Sequence, residues 1–443
     1  MVTDGDRVAA EGGGTPAPAP GGAAPARATF RDVLAVREFR ALWGAHLLSV
    51  LGDQLALVAL AVLVFERTGS PLLTAAAYAV SYLPWAVAGP LLSGLADRVP
   101  RRSLMVAADL VRAVLLLLMA LPGVPLQVLL LLLLLAELCA PPFAAARAAA
   151  LPDVLPGDRY VVGSAVTTVT TQVAQAAGFA LGGLLVAVLG ARGALALDAV
   201  TFLASAALVR LLVGEHRPPR AASLRADAAG TAAWLRAEAR GLVASSREGL
   251  ALLAHRRDLL TLAGLGWLCA FYVVPEGLAA PWADALGGGE REVGLLLAAA
   301  PAGSVVGALV LSRLVDPPRR LALMGPLAVL GCAALALSLL RPGLVGSLAL
   351  LAVSGAAAAY QLPANAAFVA AVPPESRGQA FGLVQSGINV VQGAAILLAG
   401  AVAQAVDVLV VVGTAGLLGC VAALLLWRAW LGAPAPARVL ADG

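Results

Sequence analysis

The chain of 443 residues is 60% hydrophobic and 13% charged, with a mean hydropathy of +0.90. Soluble domains run at about 45–50% apolar and about 25% charged, so an aqueous globule is excluded and a bilayer is the solvent this composition demands. The net charge of +4 comes with no lysine, and the arginines are scattered through short loops, which points to membrane orientation rather than a nucleic-acid surface.

Residues 1–30 are rich in Gly, Ala and Pro and read as a flexible tail. They lack the basic, apolar and small-residue succession of a signal peptide. A spanning helix needs about 20 apolar residues. Candidate spans follow at 40–65, 71–95, 103–121, 126–147, 161–189, 191–213, 259–281, 292–314, 320–340, 344–371, 378–403 and 407–430. Pro and Gly punctuate them at Thr68-Gly69-Ser70-Pro71, Pro122-Gly123, Pro156-Gly157, Gly190, Arg341-Pro342-Gly343 and Pro373-Pro374. The polar stretch 214–258 divides six spans from six, giving an N-terminal bundle over 31–213, a C-terminal bundle over 259–430 and a tail over 431–443. The latter part of the linker carries Trp234, Leu235, Leu242, Leu250 and Leu253 among Arg and Glu, the pattern of an amphipathic helix lying on the membrane surface.

With the N-terminus placed in the cytoplasm, 25 arginines fall on the inner side and 4 on the outer. That asymmetry predicts a multi-pass protein of the inner (plasma) membrane with both termini cytoplasmic.

The ionisable residues inside the spans are few, and such residues are costly and usually functional. Asp53 lies midway along span one and Glu137 midway along span four; both are candidates for proton coupling. Asp109 and Arg112 are three apart on span three, share a helix face and are expected to pair, with neutralisation of Glu137 by Arg112 as the alternative. Asp198 and Glu276 lie nearer the outer side and are weighed as helix-packing residues ahead of transport. Gln54, Gln172, Gln175, Gln361, Asn365, Gln385, Asn389 and Gln392 supply candidate cavity walls, the last three forming one polar stripe at helical spacing. Trp85, Trp267, Phe271 and Tyr272 could stack on an apolar ligand or anchor at the interface. Gly178, Gly182 and Gly183 give span five a small-residue face for close contact.

Cys139, Cys269, Cys332 and Cys420 each sit in an apolar run, and His46, His216 and His255 are far apart, so neither a disulfide framework nor a metal site is expected. No nucleophile–base set, phosphate loop or dinucleotide fingerprint appears, so neither an enzyme nor a bound cofactor is expected.

The loop Gly94-Leu95-Ala96-Asp97-Arg98-Val99-Pro100-Arg101-Arg102 joins spans two and three, and a degenerate echo, Ser312 to Arg320, occupies the matching place in the second half. The loop resembles the signature Gly-x-x-x-Asp-Arg-x-Gly-Arg-Arg of the major facilitator superfamily, with Pro100 in place of the usual glycine. The runs FRALWGAHLLSVLGDQLALVAL, PPFAAARAAALPDVLP and LDAVTFLASA resemble the macrolide-efflux and enterobactin-exporter branch of its drug:proton antiporters. The resemblance implies an all-α membrane fold of twelve transmembrane helices in two six-helix bundles. It implies a monomer that exchanges protons for a hydrophobic or amphipathic small molecule, with the lipid bilayer as its other partner and no nucleic acid. In that family the loop aspartate meets the start of span eleven, so Gly94, Asp97, Arg98, Arg101 and Arg102 would form a cytoplasmic gate. A lipid or lysolipid flippase or an uptake facilitator of the same fold also suits helices with few midplane charges. A non-transporting receptor or scaffold would call for a larger soluble domain.

Overall fold

The computed structural model describes residues 29–85, 99–215, 250, 253, 255–373 and 376–432. Every regular element in these residues is helical. Ten helices among them are long and apolar enough to cross a bilayer. One of these, Asp158–Leu212, holds two spans, because Gly190 at φ 71° and ψ 164° breaks it in a conformation that a side chain disfavours. The shorter Pro71–Val80 begins another span. The twelve-span architecture is therefore accommodated. In order the spans are Arg37–Thr68, the segment begun by Pro71–Val80, Arg101–Ala120, Leu126–Glu137 with Ala140–Val154, the two parts of Asp158–Leu212, Arg257–Trp267 continued to Ala279–Ala285, Glu290–Leu314, Pro317–Ala336, Leu344–Ala357 with Gln361–Ala371, Arg377–Val402 and Val408–Leu431.

Span three shows which solvent these helices are built for. Asp109 and Arg112 are 0% and 4% exposed, while Val114 of the same helix is 56% exposed. Leu110, Leu117, Leu118 and Leu121 join Val114 on the outside. Charge inside and hydrocarbon outside is the reverse of a water-soluble helix, and it fits a lipid surround in which polar groups must find partners within the protein.

Four spans read from hydropathy as continuous are interrupted, and proline is the cause. Its ring clashes with the carbonyl four residues earlier and offers no N–H. Pro84 lies four residues beyond Val80, where the regular helix of span two stops. Pro142 lies four beyond Leu138, in the gap between the two pieces of span four. Pro275 and Pro281 divide span seven, and Pro363 follows the 3₁₀ turn Ala358–Tyr360 in span ten. Pro301 and Pro326, by contrast, stay inside unbroken helices.

The apolar core is one cluster at one end of the molecule and two at the other. A shared cluster runs from Leu55 and Ala75 of the first half to Leu296 and Ile396 of the second. At the end bearing Arg101 and Arg320, the first half has its own cluster around Phe39, Met105 and Leu155. The second half has a separate one around Leu262, Met324 and Phe368. Among the described residues, then, the halves meet at the end opposite the arginines and part toward the arginine-rich end.

Small residues make that meeting possible. A Cβ on Gly183 of span five would lie 2.7 Å from the Cα of Gly294 in span eight, and one on Gly400 of span eleven would lie 2.4 Å from the Cβ of Ala75 in span two. Gly178 and Gly182 of span five face Gln54 and Val58 of span one within the first half. The small-residue face of span five thus serves both contacts.

Candidate functional site

A cavity of about 840 Å3 lies between the halves. It runs from Glu276 and Gln392, beside the packed end, to Ala148 and Gly382 near the arginine-rich end. Its size is that of a pocket for a drug-sized molecule, roughly 300–1,000 Å3. Three of the proline-broken spans meet it: Ser81 and Tyr82 come from the break in span two, Glu137, Ala140 and Pro141 from that in span four, and Glu276 from that in span seven. A broken helix exposes backbone polar groups at mid-depth, which an unbroken helix cannot do.

Behind the first-half wall lies a buried polar network. Arg112 of span three forms an ion pair with Asp53 of span one, with 5% and 32% of their side-chain surface exposed. Its guanidinium also stacks 4.1 Å from the ring centroid of Phe202 in span six. Asp109 accepts a hydrogen bond of 2.6 Å from Ser205 Oγ of span six. Asp198 Oδ1 accepts one of 2.9 Å from Thr201 and lies where a Cβ on Gly52 would sit, at 1.9 Å, so glycine beside Asp53 is what admits Asp198. The expected pairing of Asp109 with Arg112 is therefore corrected. The two share a helix, but Arg112 reaches across to span one and Asp109 turns to span six.

Glu137 interacts electrostatically with Arg112 and Asp53 and lies on the cavity wall. Among the described residues it makes no hydrogen bond or ion pair. Gln54, 7% exposed and also on this wall, leaves its Oε1 without a hydrogen-bond partner among the described residues.

The second-half wall is made differently. Gln385, Asn389 and Gln392 of span eleven line the cavity together with Ser386, and Gln175 faces them from span five. Gln361 and Asn365 instead open, with Gln385, on a smaller pocket of about 280 Å3 inside the second half. Gln172 is exposed and is not among the residues around the central cavity. Glu276 is the wall's carboxylate. It accepts hydrogen bonds from Tyr78 at 2.9 Å and Tyr82 at 3.4 Å, both on span two of the opposite half. At the packed end the amide of Gln404 donates to Ser70 across the same seam.

Of the four aromatic residues singled out from sequence, Trp85 lines the cavity. Trp267 donates to the Val384 carbonyl, Tyr272 to the Ala328 carbonyl, and Phe271 packs at Gly419, so these three hold the second half together. Tyr78, Tyr82 and Phe179 line the cavity and were not singled out. The two tyrosines four apart share one face of span two, and that spacing was the available signal.

The gate loop is described only in part. Gly94, Asp97 and Arg98 lie outside the described residues, as do most of the linker helix and the N-terminal tail. Arg101 donates to the Ala149 carbonyl at 2.7 Å and pairs with Asp153. Arg102 reaches the Val213 carbonyl at 3.2 Å and Glu215 at 3.4 Å. Both arginines thus tie span three to spans four and six of their own half. In the echo loop, Arg320 donates to the carbonyls of Val315 and Ser312.

Against known proteins, the profile of the Major Facilitator Superfamily matches residues 42–278 and 259–442. Over 76 residues the chain is 32% identical to macrolide efflux protein A of Streptococcus pyogenes, a stretch covering 17% of this chain and 19% of that protein. Solved structures of similar fold include the nucleoside transporter NupG, with a TM-score of 0.65 at 16% identity, covering 89% of this chain and 99% of that one. A POT family transporter in complex with 5-aminolevulinic acid has a TM-score of 0.68 at 11% identity, covering 89% and 98%. A bacterial homolog of the human lysosomal transporter Spinster, in an inward-facing and occupied conformation, has a TM-score of 0.63 at 13% identity, covering 92% and 97%. At these identities the likeness speaks for the fold.

Proposed function

This chain belongs to the Major Facilitator Superfamily, and on that premise we propose a proton-coupled exporter of hydrophobic or amphipathic small molecules that works by alternating access. The arginine-rich end faces the cytoplasm in this reading, so the structure is open inward. The reading is carried by one observation: a drug-sized cavity between the halves bears a carboxylate, Glu137, that makes no hydrogen bond or ion pair among the described residues, beside the Asp53–Arg112 pair. A carboxylate held within a membrane-spanning helix is costly when charged and has a proton as its cheapest partner. The 32% match to a macrolide efflux protein supports efflux of a macrolide-like drug or secondary metabolite.

In the transport cycle the halves rock about their seam. Outward opening separates Gly183 from Gly294 and Gly400 from Ala75, and breaks the bonds from Tyr78 and Tyr82 to Glu276. Protons enter from the outer side, reach Asp53 or Glu137, and leave inward as substrate moves out. The test is uptake of a macrolide into inside-out vesicles driven by an acid interior. Glu137→Gln is expected to abolish gradient-driven uptake while leaving insertion and folding intact. A variant that transports normally with an unchanged pH response overturns the assignment of Glu137.

A further inference from the structure

We propose that the second half holds one anionic phospholipid, from the leaflet at the arginine-rich end, in a groove between spans eight, nine and ten. A cavity of about 400 Å3 lies there, and none of its lining residues belongs to the central cavity. Leu311 of span eight and Leu321 of span nine line it together with Leu362, Ala366 and Ala370 of span ten. The residue sizes explain the gap. Nearer the packed end, span ten is drawn tightly onto span eight: a Cβ on Gly303 or Gly307 would lie 2.0 Å from the carbonyl oxygen of Ala352 or Ala356. Beyond Pro363, span ten offers Ala366 and Ala370, whose methyl groups are too short to fill the space toward span nine. The surround is apolar as well, with Leu314 78% and Leu362 52% exposed. An open apolar surface of this kind in a membrane protein is covered by hydrocarbon, and an acyl chain is the occupant its lining calls for.

The charge beside the groove identifies the headgroup. Arg319 and Arg320 stand in the echo loop where Arg101 and Arg102 stand in the first. In the first half each has a carboxylate of its own chain, Asp153 for Arg101 and Glu215 for Arg102. Among the described residues the second half supplies no equal. Arg320 donates through Nε to the Val315 carbonyl and through Nη2 to that of Ser312. These two bonds hold its guanidinium at the groove, which it lines, and among the described residues no carboxylate pairs with it. Arg319 reaches Asp316 at 3.8 Å with 80% and 74% of the two side chains exposed, and such a pair is worth little. Arg313, the neighbour of Ser312, is exposed and forms no ion pair among the described residues. Arginine grips phosphate through paired N–H donors. The groove then favours a phosphate carried on acyl chains over one free in solution. A zwitterionic headgroup would bring its own cation into the field of these arginines, and phosphatidylglycerol does not.

The second half thus takes from the membrane the counter-charge that the first half carries in its own chain. A basic residue near an anionic leaflet adds about fivefold to affinity, and the groove adds the fixed position that a bare basic patch lacks. The lipid touches three consecutive spans of one half and none of the other, so it steadies the second half without locking the halves together. The site stands apart from the central cavity and holds whatever that cavity carries.

The experiment titrates the full-length protein in neutral detergent with dioleoylphosphatidylglycerol or dioleoylphosphatidylcholine, lipids of identical chains, and counts bound lipid by native mass spectrometry. The first phosphatidylglycerol is expected to bind at least about tenfold more tightly than the first phosphatidylcholine. Glycerophosphoglycerol, the same headgroup without chains, should not displace it even in large excess. Arg319→Gln combined with Arg320→Gln should bring the two lipids to near parity. Arg341→Gln, at the opposite end beside Asp407, should keep the preference. Ala370→Leu fills the groove with every arginine in place and should weaken the first phosphatidylglycerol by about tenfold. Equal binding of the two lipids overturns the proposal, and it is the result that carboxylates of the linker lying on these arginines would give. Displacement by the bare headgroup, a double arginine variant that melts normally and keeps the preference, or undiminished binding to Ala370→Leu overturns it as well. Should the double variant fail to fold, Arg319→Gln alone decides, since that side chain is 80% exposed. It should lose about fivefold in affinity for phosphatidylglycerol, and no loss overturns the site.

Discussion

On the cavity wall from the first half stand Asp53, Gln54 and Glu137, with Arg112 behind them; on the wall from the second half stand Gln385, Ser386, Asn389 and Gln392, with Glu276 as their carboxylate. The first wall handles charge and the second handles hydrogen bonds. Charge inside a membrane protein has to be fixed in place, because a guanidinium that loses its carboxylate is left in a medium that cannot solvate it. The ion pair of Asp53 with Arg112 accordingly lies within one half and need not break when the halves move. Amides need no counterion and accept varied partners, so they can face a ligand that comes and goes. Glu276 departs from this division, and its bonds explain the departure: it faces two tyrosines of the other half and belongs to the seam.

The comparison is broken most forcefully at Arg112. Removing one member of a buried pair costs about 3–5 kcal/mol, chiefly through the charge left behind. Arg112→Ala is expected to give a protein that melts far earlier in detergent or does not accumulate folded. Arg112→Met combined with Asp53→Asn should recover much of the loss, since replacing both partners is far cheaper than removing one. Melting curves of the single and double variants check this. A single variant of full stability would show that the first wall is not organised by charge.

The next effect concerns Glu276. Glu276→Ala deletes two hydrogen bonds to a carboxylate that span the halves, worth about 1.5–3 kcal/mol in all. The population opened at the outer end should rise by roughly tenfold or more. Spin labels placed at the packed ends of spans two and seven would record it as a longer distance. Gradient-driven transport should keep its pH profile, because the proton exchange proposed above is assigned to the other wall. A lost pH profile with an unchanged distance would move the coupling centre to the second half.

Much of this architecture was legible in the sequence because the bilayer forces it. Twelve apolar runs, their Gly and Pro punctuation, and the small face of span five at Gly178, Gly182 and Gly183 all follow from solvent and sterics. The interruptions at Pro84, Pro142, Pro275 and Pro363 were equally written there, but hydropathy averages over a proline and hides its missing hydrogen bond. Pairings between helices were not legible. Spacing along span three places Asp109 and Arg112 on a common face, yet it says nothing of whether span one or span six stands opposite. Tyr78 and Glu276 lie 198 residues apart, and no local period joins them. Gln172 and Gln175 differ by three residues, and still one is exposed while the other lines the cavity. A helix face is a local property, but the neighbour it meets is set by the packing of the whole bundle.

The smallest expected effect is the finest test of the amide wall. Gln392→Ala leaves every charge in place and removes one amide from the second half, costing a bound ligand about 0.5–1.5 kcal/mol. Affinity for a substrate with oxygens to offer should fall by roughly three- to tenfold. Affinity for a ligand with no hydrogen-bonding group, such as tetraphenylphosphonium, should stay as it was, and so should the pH dependence of transport. If both ligands weaken alike, the amide holds the shape of the cavity. If the oxygen-bearing ligand alone weakens, recognition resides on the wall opposite the charge, and the substrate bridges the two halves whose relative motion carries it.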